Sequence, residues 1–301
     1  MVNLELIGTF VRVVEEGGLS GAARVLGVPK STVSRRLARL EEMLGTRLVQ
    51  RTSRSIRLTE AGQSLHAQVA NPIGAVEDAA RRVHGEHEQP AGRIRMTAPV
   101  DVSVAVLPDW LGEFCTRYPA IDVEIEATAE VVDLVQGAFD LAVRAGMLPD
   151  SSLVARKLLT VRLGIYCARE YARHHGTPGS VRGLASHPAV LFRAQGMRQR
   201  WRLQAEQEVA EVELHGRMLS NDFLMNRRLL ATGVGVGLLP TFMGDADVSR
   251  GELVRVLPEW SIPGGALHVV CPTTEHLPYR VRLLRQFLIE KGRAWGQSDS
   301  S

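Results

Sequence analysis

The sequence has no long apolar run and few aromatic residues. Apolar residues make up 45% of its 301 residues and aromatic residues only 5%. No stretch reaches the roughly eighteen consecutive apolar residues that a membrane helix requires. The first ten residues lack the basic start and small-residue cleavage site of a signal peptide. We therefore expect a cytoplasmic, globular chain that is long enough for two or three domains.

Cysteine is also scarce. Cys115, Cys167 and Cys271 lie far apart, form no C-x-x-C motif and, being odd in number, cannot all pair. Reduced thiols are therefore expected. A redox sensor would need two thiols that meet in the fold, and the sequence alone does not bring any two of these three together.

The net charge of +3 is unevenly distributed. Residues 1–96 contain 14 Lys and Arg against 10 Asp and Glu, whereas the rest contains 22 against 23. Within residues 30–57 the acidic residues are Glu41 and Glu42 alone. A basic block on a structured segment indicates a polyanionic partner, although a solvated helix face would have the same composition. The basic residues of this block are Lys30, Arg35, Arg36, Arg39, Arg47, Arg51, Arg54 and Arg57.

The segment around this block predicts three short helices. Residues 4–14 place apolar side chains at helical spacing and are followed by a glycine pair. Ser20 is the predicted N-cap of a second helix, and Gly27 its C-terminal glycine. The stretch GVPKSTVSRRLARLEEMLG, residues 27–45, is the third helix. This order, with a tight turn between the last two helices, is the helix-turn-helix plan.

The third helix has two different faces. We expect the apolar face to pack on the first two helices; it consists of Val33, Leu37, Leu40 and Leu44. We expect the polar face to meet DNA; it consists of Ser31, Ser34, Arg35 and Arg39. At the N-terminal end, next to Lys30 and Thr32, unpaired backbone N–H groups and the helix dipole favour phosphate. Pro29 stands where a capping Ser or Thr would be expected, so one capping bond should be missing.

The residues after Gly45 predict a short hairpin wing. Apolar and polar residues alternate from Leu48 to Leu58, as in two strands joined by a turn. Three basic side chains should then lie near the phosphate backbone, namely Arg51, Arg54 and Arg57.

Residues 3 to about 65 resemble the winged helix-turn-helix of LysR-type transcriptional regulators. The family pattern is matched in order and without gaps by Phe10, Ala22-Ala23, Ser31, Leu37, Leu40-Glu41, Leu44-Gly45, Leu48, Arg51 and Leu58-Thr59-Glu60-Ala61-Gly62. Val49 departs from it, because the family often has Phe there. The resemblance implies binding to double-stranded promoter DNA at an interrupted palindrome, and thus a bacterial, nucleoid-associated protein. The residues expected to contact DNA are Ser20, Lys30, Ser31, Thr32, Ser34, Arg35, Arg36, Arg39, Arg51, Arg54 and Arg57.

A long helix is predicted after the wing, with Thr59 as its N-cap. Apolar residues at alternating spacings of four and three form a seam for a partner helix. In the family this linker helix dimerises, which implies a homodimer or homotetramer. Pro72 should kink or break the helix after Asn71. A kink could set the angle between the two halves or be tolerated strain, and we favour the second. The expected dimerisation residues are Leu65, Val69, Val76 and Val83.

The polar stretch of residues 84–92, HGEHEQPAG, is the predicted hinge. His84, Glu86 and His87 are residue types that bind metals, but a polar hinge lacks the supporting groups that orient metal ligands. We therefore expect no metal.

After Gly92 the pattern changes to alternating strands and helices, with predicted helices over 101–119 and 130–138. The apolar run 153–168 is long enough to cross between two subdomains. This pattern predicts a doubly wound α/β sheet with ligands beyond the carboxyl ends of its strands. This half resembles the family's effector domain, two α/β lobes similar to type 2 periplasmic binding proteins with a cleft between them. The expected divisions are 1–59 for the winged helix-turn-helix, 60–88 for the linker helix and 89–301 for the effector domain. Lobe I would cover about 92–161 and 267–301, and lobe II about 162–266.

The residues expected to line the cleft follow predicted strand ends. For each of them a turn or capping role is the alternative. Arg144 or Arg193 could pair with the small carboxylates or aromatic compounds that such domains often bind, but Asp101 argues against a multiply charged anion. The candidates are Thr97, Pro99, Val100, Asp101, Ser103, Thr128, Arg144, Gly146, Met147, Arg193, Gln195 and Asn221.

No catalytic arrangement is recognisable. GVGVGLLP has the glycines of a phosphate loop but leads into a strand, the reverse of the dinucleotide-binding order. His174 and His175 have no spacing typical of zinc ligands or of a nucleophile with its base. We therefore expect a regulator without enzymatic activity or cofactor. The alternative is a constitutive architectural DNA-binding protein whose α/β half only oligomerises.

Overall fold

The computed structural model describes residues 3–51, 56–83, 90–130, 132–135, 137–146, 153–272 and 277–298. The side chains of residues 51, 71, 78–83, 297 and 298 lie outside this description. Among the helices so described, none combines the length and apolar character needed to cross a bilayer.

The N-terminal part is a three-helix unit of α1 (Leu4–Glu15), α2 (Leu19–Leu26) and α3 (Lys30–Leu44). α2 and α3 both end at a glycine in the left-handed conformation, Gly27 and Gly45, which a residue with a Cβ adopts less readily. The side chains that hold the three helices together are fully buried: Phe10, Ala22, Val33, Leu37 and Leu40. The predicted helix-turn-helix is thus present, with Pro29 before α3 and no side-chain cap.

Two details of this unit differ from the sequence prediction. Ser20 is not an N-cap, because α2 begins at Leu19, two residues earlier than predicted, and Gly18 occupies the cap position. Leu44 is not buried; 39% of it is exposed. It is the last residue of α3 before the chain turns at Gly45, so it lies at the end of the apolar face.

The wing is a two-stranded hairpin of β1 (Val49–Arg51) and β2 (Ile56–Leu58), paired antiparallel with Val49 opposite Leu58. Glu41 joins it to α3, since its Oε1 accepts the backbone N–H groups of Leu48 at 2.9 Å and Val49 at 3.1 Å. Val49 is buried, so the smaller side chain still anchors the wing.

The linker helix α4 (Glu60–Val83) is continuous. It begins where Thr59 Oγ1 accepts the N–H of Gly62 at 3.0 Å, as predicted. Pro72 lies inside the helix, so the expected break after Asn71 is wrong. The missing N–H removes one hydrogen bond. Two tertiary contacts stabilise the helix despite this lost hydrogen bond: packing on α1 and an ion pair between Arg12 and Glu77.

The C-terminal half contains one ten-stranded mixed sheet. Its order is β4-β3-β5-β12-β6-β10-β7-β9-β8, with β11 paired to β6. The strands are β3 (Gly92–Ala98), β4 (Ile121–Ala127), β5 (Leu141–Ala145), β6 (Val154–Ala168), β7 (Ala189–Phe192), β8 (Arg198–Gln204), β9 (Val209–Ser220), β10 (Val236–Pro240), β11 (Leu253–Val256) and β12 (Ile262–Cys271).

Helices cover this sheet and divide it into two lobes. They are α5 (Val100–Ala105), α6 (Leu107–Arg117), α7 (Arg169–His175), a 3-10 turn (Arg182–Ser186), α8 (Phe223–Ala231), α9 (Thr241–Ser249) and α10 (Tyr279–Ser298). The long strand β6 pairs with β12 and, through its C-terminal part, with β10 and β11. One core surrounds Phe114 and Leu284 and another surrounds Trp201 and Leu214. The predicted crossing of the apolar run 153–168 between two subdomains is confirmed.

Two predicted helices of the effector half are wrong in detail. Residues 101–119 form α5 and α6 rather than one helix, because Val106 leaves the helical conformation and Pro108 starts a new first turn. Residues 130–138 are predicted to be helical, but, of the described residues, 132 and 133 are irregular and 134, 135, 137 and 138 form turns. Asp133 explains the difference, since its Oδ1 accepts the N–H of Val135 at 2.8 Å and competes with helix formation.

Candidate DNA interface and effector cleft

The outer side of α3 carries a basic surface, here called the DNA-facing surface. It consists of the exposed residues Lys30, Ser31, Arg35 and Arg39. In the described part of the chain neither Arg35 nor Arg39 has an acidic partner within ion-pair distance. Thr32 and Ser34 are half-buried at its edge. Ser20 on α2 and Arg57 on β2 are also exposed.

Arg36 does not belong to this surface, although the sequence analysis predicts it as a DNA contact. Its guanidinium forms an ion pair with Glu5 of α1, and only 25% of its side chain is exposed. One residue along a helix turns the side chain by about 100°, so Arg36 faces α1 while Arg35 faces outwards. Of the remaining wing candidates, Arg54 and the side chain of Arg51 lie outside the described residues.

The linker helix uses part of its apolar seam within its own chain. Leu65 and Val69 are half-buried and pack against the three-helix core. This departs from the expectation that the whole seam is available to a partner helix. Val76, by contrast, is 57% exposed. The side chain of Val83 is not among those described.

A cavity of about 370 Å³ separates the two lobes of the C-terminal half and is here called the effector cleft. The strand ends predicted its position well. The predicted residues that line it are Pro99, Val100, Asp101, Thr128, Arg144, Gly146, Arg193 and Asn221.

The other predicted cleft residues are placed differently. Thr97 is fully buried within β3 and Ser103 lies inside α5, so neither belongs to the lining. Gln195 is exposed on the turn beyond Arg193 and is not part of the lining either. Met147 lies outside the described residues. Side chains at a strand end alternate between the two faces of the sheet, which is why closeness in sequence was an incomplete guide.

The cleft also contains side chains that the sequence prediction missed. Phe192 and Phe223 stack with ring centroids 3.8 Å apart and ring planes inclined by 12°. Both line the cavity, together with Phe242 and Asp222. The Asp at the start of DFLMNRRLLA could have been recognised as an N-cap, and its Oδ1 does accept the N–H of Met225 at 2.7 Å. The ring stack joins residues 31 positions apart and depends on the tertiary fold.

Five charged side chains of the cleft lack ion-pair partners in the described part of the chain: Asp101, Glu130, Arg144, Arg193 and Asp222. Arg144 is 8% exposed, and its Nη2 donates a long hydrogen bond of 3.4 Å to the carbonyl of Val132. Burial lowers the pKa of Arg144. Burial also raises the pKa of Asp101, as does nearby Asp222, while hydrogen bonds from its own N–H and that of Val102, and the charge of Arg193, lower it.

Arg193 also has an unusual backbone. Its φ is +50°, in the left-handed region that costs a side-chain-bearing residue energy. Its guanidinium lies 5.3 Å from the centre of the Phe192 ring. Such strain is concentrated at functional sites in proteins, which supports Arg193 as part of a binding site.

A larger cavity, of about 680 Å³, lies between the DNA-binding part and lobe I, here called the junction cavity. Glu15, His66, Asp140 and Arg280 are among its lining residues. His66 is buried with both ring nitrogens unpartnered by any described residue, and its pKa is lowered to about 4 by burial and by Arg95. Burial raises the pKa of Asp140 to about 6. No pattern in the sequence predicted this cavity, because its walls come from separate domains.

The described residues contain no cluster of His, Cys, Asp and Glu able to hold a metal ion, and the hinge residues His84, Glu86 and His87 lie outside them. Cys167 and Cys271 are buried and Cys115 is half-buried. All three thiols are free.

Two protein-family descriptions match this architecture. Residues 4–63 match "Bacterial regulatory helix-turn-helix protein, lysR family". Residues 87–293 match "LysR substrate binding domain". The chain is 34% identical over 298 residues to the HTH-type transcriptional regulator PtxR of Pseudomonas aeruginosa, covering 96% of this chain and 93% of that protein.

Solved structures agree with the fold. The LysR-type transcriptional regulator CrgA from Neisseria meningitidis superposes with a TM-score of 0.60 at 29% identity, over 97% of this chain and 99% of that one. The full-length virulence activator AphB of Vibrio cholerae gives a TM-score of 0.58 at 27% identity, over 96% and 99%. These similar proteins are named as transcriptional regulators, not as enzymes.

Proposed function

Because the chain belongs to the family of LysR-type transcriptional regulators, we propose that its DNA-facing surface and wing bind an operator and that an effector in the cleft modulates this binding. The observation that carries the proposal is the pairing of two sites in one chain. One site is a basic helix face on which Arg35 and Arg39 have no acidic partner among the described residues, and the other is a charged cavity between two lobes. The family assignment accounts for both and requires no catalytic group.

We propose distinct roles for the basic residues. The N-terminal part of α3 enters the major groove, where Arg35 and Arg39 reach base edges. Lys30, Ser31 and Thr32 lie at the helix N-terminus, which favours phosphate. Arg57 on the wing contacts the backbone, and Arg51 and Arg54 are proposed to do the same. Ser20 and Ser34 flank these contacts.

Operator binding is proposed to involve two copies of the chain. A single helix-turn-helix reads one half-site, so two linked copies read an interrupted palindrome. Val76 is the candidate contact between linker helices, since its exposure leaves an apolar side chain uncovered. Val83 is proposed to extend this contact. Pairs of such dimers would give the tetramer that the family resemblance suggested.

The division of labour follows the predicted boundaries: 1–59 binds DNA, 60–88 links two copies, and 89–301 binds the effector between its lobes. The proposed site of action is the nucleoid in the bacterial cytoplasm, where the operator lies. In the cleft, Arg144 is suited to a carboxylate and the Phe192–Phe223 pair to an aromatic ring.

The test is footprinting of the full-length protein on DNA upstream of its own gene, combined with a thermal-shift screen against small carboxylates and aromatic acids. A ligand that binds the folded state must raise the melting temperature. A hit that also alters the footprint is the expected result. Specific DNA binding that no ligand of a broad panel changes would contradict effector control and favour the constitutive architectural alternative.

A further inference from the structure

The positions of the charged side chains in the effector cleft indicate which charges its ligand carries. Asp101 belongs to lobe I, at the start of α5, whereas Asp222 belongs to lobe II, at the start of α8. Arg144 of β5 and Arg193 after β7 give each lobe one guanidinium as well. None of the four forms an ion pair with any described residue, including one another.

This arrangement contrasts with that of Asp247, a buried carboxylate of lobe II that receives two hydrogen bonds of 2.7 Å from Arg227. Removing a charge from water without a partner is unfavourable, and a ligand of opposite charge compensates that cost. In the cleft Arg144 is buried, Asp101 and Asp222 are half-buried and Arg193 is exposed. The cost therefore falls on Arg144 and the two aspartates, and a ligand with charges of both signs compensates it.

The total charge of the lining argues in the same direction. Three acidic residues, Asp101, Glu130 and Asp222, face two arginines. A simple carboxylate would therefore enter a cavity with an excess of negative charge. A simple amine would leave the buried guanidinium of Arg144 without a counter-ion.

We propose that the effector is an aromatic zwitterion with the chemistry of an aromatic α-amino acid. Its carboxylate pairs with Arg144, its ammonium group lies between Asp101 and Asp222, and its ring packs on the Phe192–Phe223 pair. The proposal rests on the proposed function, since it concerns the ligand of the same cleft. A cavity of about 370 Å³ is within the size range of small-molecule sites, about 300–1,000 Å³.

The ammonium group also gives a mechanism for the response. Asp101 and Asp222 come from opposite lobes and repel each other, so an empty cleft resists closure. A cation between them replaces this repulsion with attraction. Because the closed form then binds the ligand better than the open form, the ligand shifts the population towards closure.

Three compounds with related skeletons test this proposal: phenylalanine, 3-phenylpropanoate, which lacks the amine, and 2-phenylethylamine, which lacks the carboxylate. Titration calorimetry of the full-length protein at pH 7 measures their affinities. We expect phenylalanine to bind at least about tenfold more tightly than either of the others, since one added charge pair at a desolvated site contributes that much.

Single substitutions test which side chain of the cleft pairs with each charged group of the ligand. Asp101→Asn should abolish the preference for phenylalanine over 3-phenylpropanoate, and Arg144→Gln should abolish the preference over 2-phenylethylamine. Glu206→Gln is the control, because Glu206 is an exposed acid outside the cleft lining and its loss should change neither ratio. Circular dichroism of each variant verifies that it is folded.

The outcomes separate this inference from the proposed function. Equal or tighter binding of 3-phenylpropanoate, or an unchanged ratio in Asp101→Asn, would overturn the zwitterion while leaving the cleft as a ligand site. Failure of all three compounds to bind would overturn the aromatic amino-acid chemistry. The DNA footprinting and the broader thermal-shift screen test effector control independently of that result.

Discussion

Neighbouring arginines on α3 have different environments. Arg35 is exposed with no acidic partner in the described chain, whereas Arg36 pairs with Glu5 on α1. A partly exposed ion pair of this kind contributes at most about 1 kcal/mol to stability. The two residues therefore form a matched pair for separating DNA contacts from helix packing.

We expect Arg35→Ala to weaken operator binding by roughly 1 to 3 kcal/mol and to relax specificity at one base position, if it reads a base edge. Arg36→Ala should change operator affinity much less, because its charge is already engaged. Fluorescence anisotropy with operator and scrambled DNA measures both. Equal losses for the two variants would contradict the assignment of Arg35 to the outer face.

Arg57→Ala should act differently, because a phosphate contact carries no sequence information. Its affinity should fall alike for operator and scrambled DNA, and the slope of log affinity against log salt should decrease by about one unit. An unchanged salt slope would contradict the proposal that Arg57 contacts the DNA backbone.

The cysteines differ in reactivity for reasons that are visible residue by residue. Burial raises the pKa values of Cys167 and Cys271 to about 11. Since the thiolate is the reactive form, both should be inert at neutral pH. We expect a thiol reagent to modify native protein first at half-buried Cys115, as mapped by mass spectrometry. Rapid modification of Cys167 or Cys271 would reopen the redox-sensing alternative.

At the scale of elements, the linker helix tolerates a residue that normally interrupts helices. α4 runs through Pro72 because its first half packs on the three-helix core and the Arg12–Glu77 ion pair holds its second half. Tertiary contacts thus outweigh a propensity cost of about 3 kcal/mol. This favours tolerated strain over a functional kink.

Pro72→Ala tests that choice. Restoring the N–H and removing the ring clash should raise the free energy of unfolding by about 1 to 3 kcal/mol. Under tolerated strain, the spacing of protected half-sites in a footprint should stay the same. A changed spacing, or lost effector response, would show that Pro72 sets the geometry between the two halves.

At the scale of the whole molecule, the junction cavity lies between the DNA-binding part and lobe I. Arg93 Nη1 donates to the carbonyl of Glu15 at 3.2 Å, and His66 faces a second, small cavity that Asp140 also lines. His66 titrates at about 4 and Asp140 at about 6. Their pKa shifts have opposite signs, so their effects on stability oppose each other.

The signs can be worked out from linkage. Between pH 6.5 and 4 only the unfolded chain protonates His66, so stability from this group is lost as the pH falls. Between pH 6 and 3.8 only the folded chain protonates Asp140, so stability from that group is gained as the pH falls. In the wild type the two changes largely cancel.

Single substitutions should separate the contributions of His66 and Asp140 to the pH dependence of stability. His66→Leu should stabilise the protein by about 1 to 2 kcal/mol, since it removes an unsatisfied buried polar group, and its advantage should grow from pH 6.5 to 4. Asp140→Asn should stabilise by about 1 kcal/mol at pH 7 and lose that advantage by pH 4. Urea unfolding across this range measures both, and parallel pH profiles for wild type and variants would contradict the assigned pKa shifts.

The sequence by itself determined the elements whose signals are local. The helix-turn-helix, the wing, the N-cap at Thr59 and the crossing of the apolar run 153–168 between two subdomains follow from the pattern of apolar side chains and from capping residues within one segment. The eight predicted residues that line the cavity lie at or near strand ends and the turns that follow, where the chain direction alone indicates the face. The break at Val106 and the turn at Asp133 were missed because short-range competition between side chain and backbone decided them.

Only the tertiary structure decided which side chains meet. The Phe192–Phe223 stack, the Arg36–Glu5 pair and the junction of His66 with Asp140 join residues that are 31, 31 and 74 positions apart. The absence of ion-pair partners for the charges in the cleft was also decided by the tertiary structure, because it depends on every side chain that surrounds them. Periodicity predicts which face of an element is buried, whereas the neighbour across that face is set by packing of the whole chain.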